Sequence, residues 1–427
     1  MSRMPHTETV VQESTKMNAS FIERSARKVL FKILSHLNVG QLTMVEDGEI
    51  VGVFGNAESQ LHARIEVNNT RTYSRFLLQG DVGAGEAFID GDWSSPDLTQ
   101  VIRLFAANLQ ALDRLERKLA WLSWPLRMLG HLRRRNSKRQ AKENIAAHYD
   151  LGNELYLRFL DQRLQYSSAV YPSIDASLDA AQDYKLHRLC EMLELNEKDQ
   201  LIEIGTGWGG LAIYAAQNYG CHVTTTTISE EQYAYAKARI EELGLTDKIT
   251  LLKEDYRDLT GTYDKLVSVE MIEAVGAEYL PEFFRKCSSL LKEDGRMVLQ
   301  AITIADQRLK TYNRNVDFIQ RHIFPGGYLP SMELLAKMYR KYTDMNIRLM
   351  DDIGLHYADT LKDWRINFNR KQGELEAFGY DDRFARLWNY YLCYCEGGFR
   401  ERTVSAVQLM ATKSQCKVSL KGCPYNA

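Results

Sequence analysis

The second half of the chain alternates short apolar runs with longer stretches in which apolar residues recur at helical spacing. Short apolar runs bounded by polar residues predict buried strands, and the stretches between them predict amphipathic helices. This alternation is typical of a doubly wound, Rossmann-like parallel sheet of the α/β class. Seven strands are predicted, at residues 200–204, 222–228, 249–253, 265–270, 297–302, 347–352 and 404–410. The clearest helices are predicted at 211–218, 230–243 and 280–291.

The first part of the chain has a different pattern. Residues 1–20 are polar and without a period, which predicts a flexible tail, and helical spacing over 21–37 predicts a helix. Short alternating runs separated by turn residues such as Asp47-Gly48 then predict a small β-rich α+β domain, closed by a helix near 98–112. The predicted strands of this domain are 42–45, 50–54, 63–67 and 74–78.

A basic amphipathic segment joins these two parts. It runs from Arg117 to Lys142 and contains nine Lys or Arg, no Asp or Glu, and the apolar side chains of Trp121 and Trp124 among others. This mixture favours binding to an anionic membrane surface, and a helix packed between domains is the alternative. The net charge of the whole chain is only -2, so no nucleic-acid partner is predicted.

The most specific feature is a glycine-rich turn after the predicted strand 200–204. Gly205, Gly207 and Gly209 let the backbone turn sharply and approach a ligand that side chains would obstruct. The helix that follows would direct unpaired N–H groups at that ligand. The Gly-x-Gly-x-Gly spacing, with Glu203 two residues earlier and no Lys-Ser or Lys-Thr ending, favours S-adenosylmethionine (SAM) over a dinucleotide or a P-loop phosphate.

Residues just after the neighbouring strands should line the same crevice, because ligands bind at the carboxyl ends of parallel strands. The second strand ends without a carboxylate, so Thr227 or Gln232 is the candidate for the ribose hydroxyls, with β propensity as the alternative for the threonine. After the third strand, Asp255-Tyr256-Arg257 would place a carboxylate on the adenine amino group and an aromatic ring against the base. A solvated loop is the alternative there.

Cysteines and hydropathy indicate the compartment. Seven scattered cysteines, an odd number, and no secretory segment near the start favour a reducing cytoplasm. Cys393 and Cys395 lack a second pair, so no metal site is predicted. No apolar run approaches the length needed to cross a bilayer, which predicts a soluble or peripheral protein.

Six motifs occur in order along the chain: HYDLGNE at 148–154, QYSSA at 165–169, IGTGWGG at 204–210, TISEEQ at 227–232, DYRDL at 255–259 and IFPGGYLPS at 323–331. Together they resemble the cyclopropane fatty acid synthase and mycolic acid cyclopropane synthase family of SAM-dependent methyltransferases. Residues 79–86 and 90–93 resemble the amino-terminal domain of the bacterial phospholipid enzymes. The resemblance implies a division into a tail (1–20), a lipid-binding-like α+β domain (21–115), a basic linker (116–143), a methyltransferase domain (144–415) and a second tail (416–427).

The resemblance also implies the reaction. A methyl group would pass from SAM to the cis double bond of an acyl chain in membrane phospholipid, forming a cyclopropane ring at the inner face of the membrane. Methylation without ring closure, giving a methylene- or methyl-branched chain, is one alternative. A lipid-binding protein without catalysis is another, and a homodimer is left open.

In the family, a bound bicarbonate takes the proton that ring closure releases. Carried over by resemblance, the residues that hold it are Ser168, Glu273, Gln300, Ile302 and Tyr357. Ser168 stands where the family has cysteine and Gln300 where it has histidine; both can donate a hydrogen bond to an anion, but Gln300 cannot titrate.

A third departure is Glu270, where the family usually has a small residue. This carboxylate would pair with Arg257 or the cofactor, or would perturb the anion site by like-charge repulsion, and an exposed strand-end glutamate is the alternative. We hypothesise that Glu270, Ser168 and Gln300 shift the product toward a branched chain.

Further residues are expected around the cofactor and the acyl chain. Tyr166 and Ser167, with Gln182 and Lys185 on the following helix, match family positions that close over the cofactor. Aromatic side chains are also expected along the acyl chain, because their faces stabilise a cation without reacting with it. For each of these rings, packing in the hydrophobic core is the alternative. The candidate rings are Tyr166, Phe318, Tyr391 and Phe399.

Overall fold

The computed structural model describes residues 20–109, 111–112 and 152–417. The basic segment 117–142, residues 148–151 of the first motif, and most of both predicted tails lie outside the described residues. Contacts group the chain into two units. The first unit takes its described residues from Met1–Arg133, Arg314–Arg321 and Glu374–Thr403, and the second from Arg134–Asn313, His322–Gly373 and Val404–Ala427. The contiguous domain ranges did not anticipate the two later segments of the first unit, because periodicity identifies elements but not their packing partners.

The first unit contains a four-stranded sheet with helices packed around it. The sheet order is β2-β1-β3-β4, with β1 and β3 parallel and the other pairs antiparallel. Its elements from the first part of the chain are α1 (Phe21–Leu34), β1 (Gln41–Glu46), β2 (Glu49–Gly55), β3 (His62–Val67), α2 (Arg71–Ile89), β4 (Trp93–Ser94) and α3 (Leu98–Ala107). The α1 helix begins with a capping box, in which Ser20 and Glu23 each accept a hydrogen bond from the other's backbone N–H.

The strand predicted at 74–78 is wrong, because these residues lie inside α2. A run of five residues is too short to distinguish a period of two from a helical period. The tertiary contacts of its neighbours decide the matter: Tyr73 is fully buried, its hydroxyl donates to the Glu46 carboxylate on β1, and α2 packs on α1. Gly80, at φ +58°, introduces a kink where the helix continues.

The second unit contains the predicted seven-stranded sheet. All seven strands are confirmed, in the order β10-β11-β9-β8-β5-β6-β7. The strands are β5 (Gln200–Ile204), β6 (His222–Thr226), β7 (Ile249–Leu252), β8 (Tyr263–Val269), β9 (Leu291–Ile304), β10 (Asn346–Asp352) and β11 (Val404–Thr412). Strands β5 to β9 are parallel to one another. Strand β11 is antiparallel to both β9 and β10.

Helices cover both faces of this sheet. Successive residues of β5, Leu201 and Ile202, contribute to two different apolar clusters, as expected for a strand buried on both sides. The further helices among the described residues are α4 (Asn153–Phe159), α5 (Leu178–Leu193), α6 (Gly210–Tyr219), α7 (Glu230–Glu242), α8 (Leu280–Ser289), α9 (Asp306–Tyr312), α10 (Phe318–His322), α11 (Met332–Tyr342), α12 (Gly354–Arg370), α13 (Gln372–Glu376) and α14 (Asp382–Arg400). Of these, α14 belongs to the first unit. Within the described part of the chain, none of the helices has the length and apolar character that crossing a membrane requires.

Candidate functional site

The glycine turn joins β5 to α6 at the carboxyl edge of the sheet. Gly205, Gly207 and Gly209 all have positive φ, at +98°, +54° and +88°. The backbone N–H groups of Gly205 and Thr206 both donate to the carbonyl of Thr226 at the end of β6, which fixes the turn. A Cβ added at Gly207 would meet no atom within 4 Å. The turn therefore leaves open space beside its backbone, as a cradle for the methionine end of SAM requires.

Glu203 lies beneath this turn rather than on the surface. Its side chain is 3% exposed, and a carboxylate oxygen accepts a hydrogen bond from the Thr225 hydroxyl on the adjacent strand. Burial raises the pKa of Glu203 to about 8, against the hydrogen bond from Thr225 and the charge of Lys185, which lower it. The protonated form of Glu203 is therefore favoured at neutral pH.

The two ribose candidates contact each other. The Thr227 hydroxyl donates to Gln232 Oε1 at 3.0 Å, and the Ser229 N–H donates to Thr227 Oγ1. Ser229 is the N-cap of α7 and accepts from the Gln232 N–H. Both candidates thus lie at the carboxyl end of β6, in the place that the sequence predicted.

The adenine candidates form a rigid turn after β7. Asp255 caps a short 3₁₀ helix, and the Arg257 guanidinium donates to both of its carboxylate oxygens, at 2.8 and 2.7 Å. The Tyr256 ring packs edge-on against Phe283, with ring centroids 5.5 Å apart. This geometry is not that of a loose solvated loop, and the role in adenine binding remains a prediction.

A buried lysine supports the segment that carries Tyr166 and Ser167. Lys185 on α5 is fully buried, and its ammonium donates to Gln165 Oε1 and to Ser167 Oγ. Gln182, also buried, donates to the carbonyl of Ser167 at 2.9 Å. Burial lowers the pKa of Lys185 to about 8, while Asp161, Glu270 and Glu203 favour its charged form. These contacts are those of an internal framework and not of a surface pair.

Three of the five residues predicted to hold an anion donate hydrogen bonds to the carboxylate of Glu270. Its Oε1 accepts from the Ser168 backbone N–H at 2.9 Å and from Gln300 Nε2 at 2.8 Å, and its Oε2 accepts from the Tyr357 hydroxyl at 2.7 Å. Glu270 therefore pairs with these groups and not with Arg257. The Ser168 hydroxyl, which the sequence suggested as the donor, instead donates to the Ala169 carbonyl.

The backbone at Glu270 is held in an unusual conformation. Its φ is +49°, in the left-handed region that residues other than glycine seldom adopt, and its N–H donates to the Gln300 carbonyl on β9. Such strain persists only where surrounding contacts fix it, and it is concentrated at functional sites. The three hydrogen bonds to the carboxylate supply that fixation.

Glu273 is the second carboxylate of the pocket. Its Oε1 accepts a hydrogen bond from the Ile302 N–H, and both residues belong to the set that the resemblance assigns to the bound anion. Its Oε2 has no hydrogen-bond partner among the described residues. Burial, and then the charge of Glu270, raise the pKa of Glu273 to about 8. Burial also raises the pKa of Glu270, but hydrogen bonds from Gln300, Tyr357 and Ser168 oppose that rise. Glu270 is therefore the carboxylate better suited to carry the negative charge.

An aromatic cluster lies around Tyr166 in the second unit. The ring centroid of Tyr166 is 5.2 Å from that of Tyr156, 5.3 Å from Trp364 and 6.2 Å from Phe324. The Tyr357 ring, whose hydroxyl contacts Glu270, is 6.1 Å from Trp364 in an edge-to-face arrangement. The sequence singled out Tyr166 but missed the other rings, because their spacing along the chain carries no common period.

The other three candidate rings, Phe318, Tyr391 and Phe399, belong to the first unit. All three are buried there. Phe318 packs against Tyr390 with ring centroids 4.6 Å apart, and a Cβ at Gly85 would touch it. In this unit they have the contacts of ordinary core residues.

The chain is similar in sequence and in fold to several known proteins. The family model described as mycolic acid cyclopropane synthetase matches residues 136–409. A tuberculostearic acid methyltransferase of Mycobacterium tuberculosis is 37% identical over 350 residues, which are 78% of this chain and 79% of that protein. The cyclopropane-fatty-acyl-phospholipid synthase of Escherichia coli is 36% identical over 354 residues, 82% of this chain and 88% of that protein. The solved structure of mycolic acid cyclopropane synthase CmaA1, complexed with SAH and CTAB, is 27% identical with a TM-score of 0.60, over 64% of this chain and 98% of that one.

Proposed function

This chain belongs to the mycolic acid cyclopropane synthetase family, and from that premise we propose that it transfers a methyl group from SAM to the cis double bond of an acyl chain in membrane phospholipid, with closure of a cyclopropane ring. The activity in the name of the Escherichia coli relative supports the phospholipid substrate. The SAH in the CmaA1 complex supports SAM as the methyl donor, and the open cradle at Gly207 fits it.

The position of Glu270 carries the mechanistic part of the proposal. Ser168, Gln300 and Tyr357, three of the residues that the resemblance assigns to a bound bicarbonate, all donate to its carboxylate. A free bicarbonate would have to compete with this tethered carboxylate for the same donors. The residues present do not fit a separate anion, and we propose that Glu270 itself is the proton acceptor.

SAM, when bound at the glycine turn, supplies an electrophilic methyl group. An alkene is a weak nucleophile, so the chain has to align it and keep water from the positive charge that the acyl chain carries once the new C–C bond has formed. The faces of Tyr166 and Trp364 are suited to stabilise that charge. Loss of a proton from the transferred methyl group to Glu270 then closes the ring, leaving a neutral acyl chain and a protonated carboxyl group.

Glu270 also favours a second candidate, a methylene-branched product. A hydride shift could first move the positive charge to the carbon that bears the new methyl group. The same proton loss to Glu270 then gives a methylene branch (C=CH₂) on the acyl chain instead of a ring. One relative is named for methylation and not for ring closure. An idle lipid-binding protein is the least supported alternative, since the glycine cradle and both carboxylates of the pocket, Glu270 and Glu273, are present.

One experiment tests the reaction and distinguishes its products. The full chain is incubated with SAM and vesicles of a cis-unsaturated phospholipid, with saturated vesicles as the matched control, and SAH release is followed. Both products gain the same CH₂ mass, so proton NMR of the released fatty acids has to separate cyclopropane from vinylidene protons. We expect SAH release only with the unsaturated lipid, and equal release with both vesicles would refute the proposed acceptor.

We also propose that the basic segment 117–142, which lies outside the described residues, binds the anionic membrane surface. Each cation near such a surface contributes about 1 kcal/mol, so half of its nine would hold the protein there reversibly. Sedimentation with vesicles should increase with anionic lipid content and decrease with salt. Binding independent of both would contradict the proposal.

A further inference from the structure

A second buried glutamine, Gln408 on β11, lies next to Gln300. Gln408 lies opposite Gln300 in the register of β11 and β9, and both side chains are fully buried. Gln408 Nε2 donates to Gln300 Oε1 at 2.9 Å. Neither the glycine turn nor the family motifs of the sequence include Gln408.

The contacts of Gln300 require its amide to be oriented one way. Its Nε2 donates both to Glu270 Oε1 and to the Ser168 carbonyl, at 2.8 and 3.1 Å, and each of these partners can only accept. The amide oxygen of Gln300 must then face away from Glu270. A buried oxygen needs a donor, and Gln408 supplies it.

Gln408 itself lacks a complete set of partners. Its own Oε1 is buried without a hydrogen-bond partner in the part of the chain that the structure describes. A buried carbonyl oxygen without a hydrogen-bond donor destabilises the folded state. An apolar side chain of the same length would remove this unpaired oxygen but would leave Gln300 Oε1 without its donor. The number of unpaired buried oxygens would not change, so the pairing of buried polar groups does not by itself account for glutamine at this position.

We propose that Gln408 is a positioning residue for catalysis, which fixes the Gln300 amide with its N–H toward Glu270 and so holds the Glu270 carboxylate in place to accept a proton. The inference rests on the proposed function of Glu270. Gln408 acts only through Gln300 and contacts neither Glu270 nor the substrate in this proposal.

Titration of Glu270 provides a readout that a purely structural role would not change. The charged and titratable groups around Glu270 are Lys185 from α5, Glu273 from the segment after β8 and Tyr357 from α12. The hydrogen bond from Gln300 lowers the pKa of Glu270. If Gln300 is free to turn its amide, that bond weakens and the pKa of Glu270 rises further.

Two substitutions at Gln408 and one control test the proposal. Gln408→Met keeps the length and removes the donor, whereas Gln408→Glu places a second acceptor against Gln300 Oε1 and favours the reversed amide. Thr412→Val is the control, because Thr412 is a buried, hydrogen-bonded residue of the same strand that accepts from Arg348. We expect kcat to fall about 10-fold in Gln408→Met and further in Gln408→Glu, with KM for SAM and the Thr412→Val rates within twofold of wild type.

Stability and titration complete the test on the full-length protein. Gln408→Met exchanges one unpaired buried oxygen for another, so its melting temperature should stay within a few degrees of wild type. The acidic limb of its kcat–pH profile should move to higher pH. Without substrate, the pH titration of the Glu270 carboxyl carbon, followed by NMR of ¹³C-glutamate-labelled protein and assigned with Glu270→Gln, should move the same way. A Gln408→Met protein with wild-type titration and wild-type kcat would overturn the inference. A shifted titration in a protein that methylates no lipid would instead show that Gln408 orients Gln300 toward Glu270, and would refute the proposed function.

Discussion

The Tyr357 hydroxyl donates a 2.7 Å hydrogen bond to Glu270 Oε2, although the two residues lie 87 positions apart. Tyr357 is on α12 and Glu270 follows the last residue of β8. Their contact links the aromatic cluster around Trp364 to the acidic pocket, because the Tyr357 ring packs against Trp364. Tyr357 thereby connects Trp364, which is proposed to stabilise positive charge, to Glu270, which is proposed to accept a proton.

Two substitutions at Glu270 should distinguish the effect of its negative charge from the effect of the volume that its side chain occupies. Glu270→Gln keeps the shape but cannot accept the proton, so kcat should fall by about 10²–10⁴-fold. Glu270→Gly empties the pocket and relieves the positive φ, leaving the donors of Ser168, Gln300 and Tyr357 free for an added anion. Bicarbonate should restore activity to Glu270→Gly but not to Glu270→Gln, as measured by SAH release; rescue of neither, with both proteins folded, would argue against an anion site here.

Tyr357→Phe should change the pH dependence of the reaction. The phenol lowers the pKa of Glu270, so its removal raises that pKa. Because the proposed base acts in its deprotonated form, the acidic limb of the kcat–pH profile should move to higher pH, with kcat at pH 7 down about 10-fold. The ring and its packing on Trp364 are retained, so an unchanged profile would mean that the hydroxyl does not act through Glu270.

Gly207→Ala should weaken SAM binding more than it weakens the fold. A Cβ there meets no protein atom within 4 Å, so the cost to stability is that of a left-handed residue, about 1–2 kcal/mol. Gly244→Ala is the matched control, with φ +65° and equally open space. Both variants should lose similar stability, whereas only Gly207→Ala should raise KM for SAM, by about 10-fold or more. Equal KM values would remove the turn from the cofactor site.

Glu203→Gln should stabilise the protein at neutral pH and much less at pH 5. The folded-state pKa of Glu203 is about 8, raised from 4.5, so the folded state binds an extra proton between these values and stability falls as the pH rises through that window. An amide removes this penalty of about 3 kcal/mol at pH 7 and still accepts from Thr225. Denaturant unfolding at both pH values measures the difference, and a gain that does not depend on pH would contradict the raised pKa.

Tyr166 should act through its ring and not its hydroxyl. Tyr166→Phe keeps the aromatic face beside Trp364 and should retain kcat within about threefold. Tyr166→Leu loses a cation–π contribution of about 1–2 kcal/mol, so kcat should fall about 10-fold. Hydroxylated acyl chains, formed by water capture of the cation, should accumulate only with leucine; identical product profiles in both variants would exclude a role for the ring in protecting the charge.

Several features could be predicted from the sequence because their signals are local. The seven strands of the second unit and α7 follow from short-range periodicity, and the glycine turn follows from conformational freedom. The prediction of a strand at 74–78 was wrong because the local pattern there does not determine the conformation. Packing against α1 and β1 determined it.

By itself the sequence determined the sheet, the cofactor turn and the set of residues that gather around an anion. It also identified Glu270 as a departure from the family pattern. Only the tertiary structure showed that Ser168, Gln300 and Tyr357 donate to the Glu270 carboxylate, and that Gln408 donates to Gln300. The physical reason is that hydrogen bonds depend on distances of a few tenths of an ångström between groups brought together by β8, β9, β11 and α12, and spacing along the chain does not encode those distances.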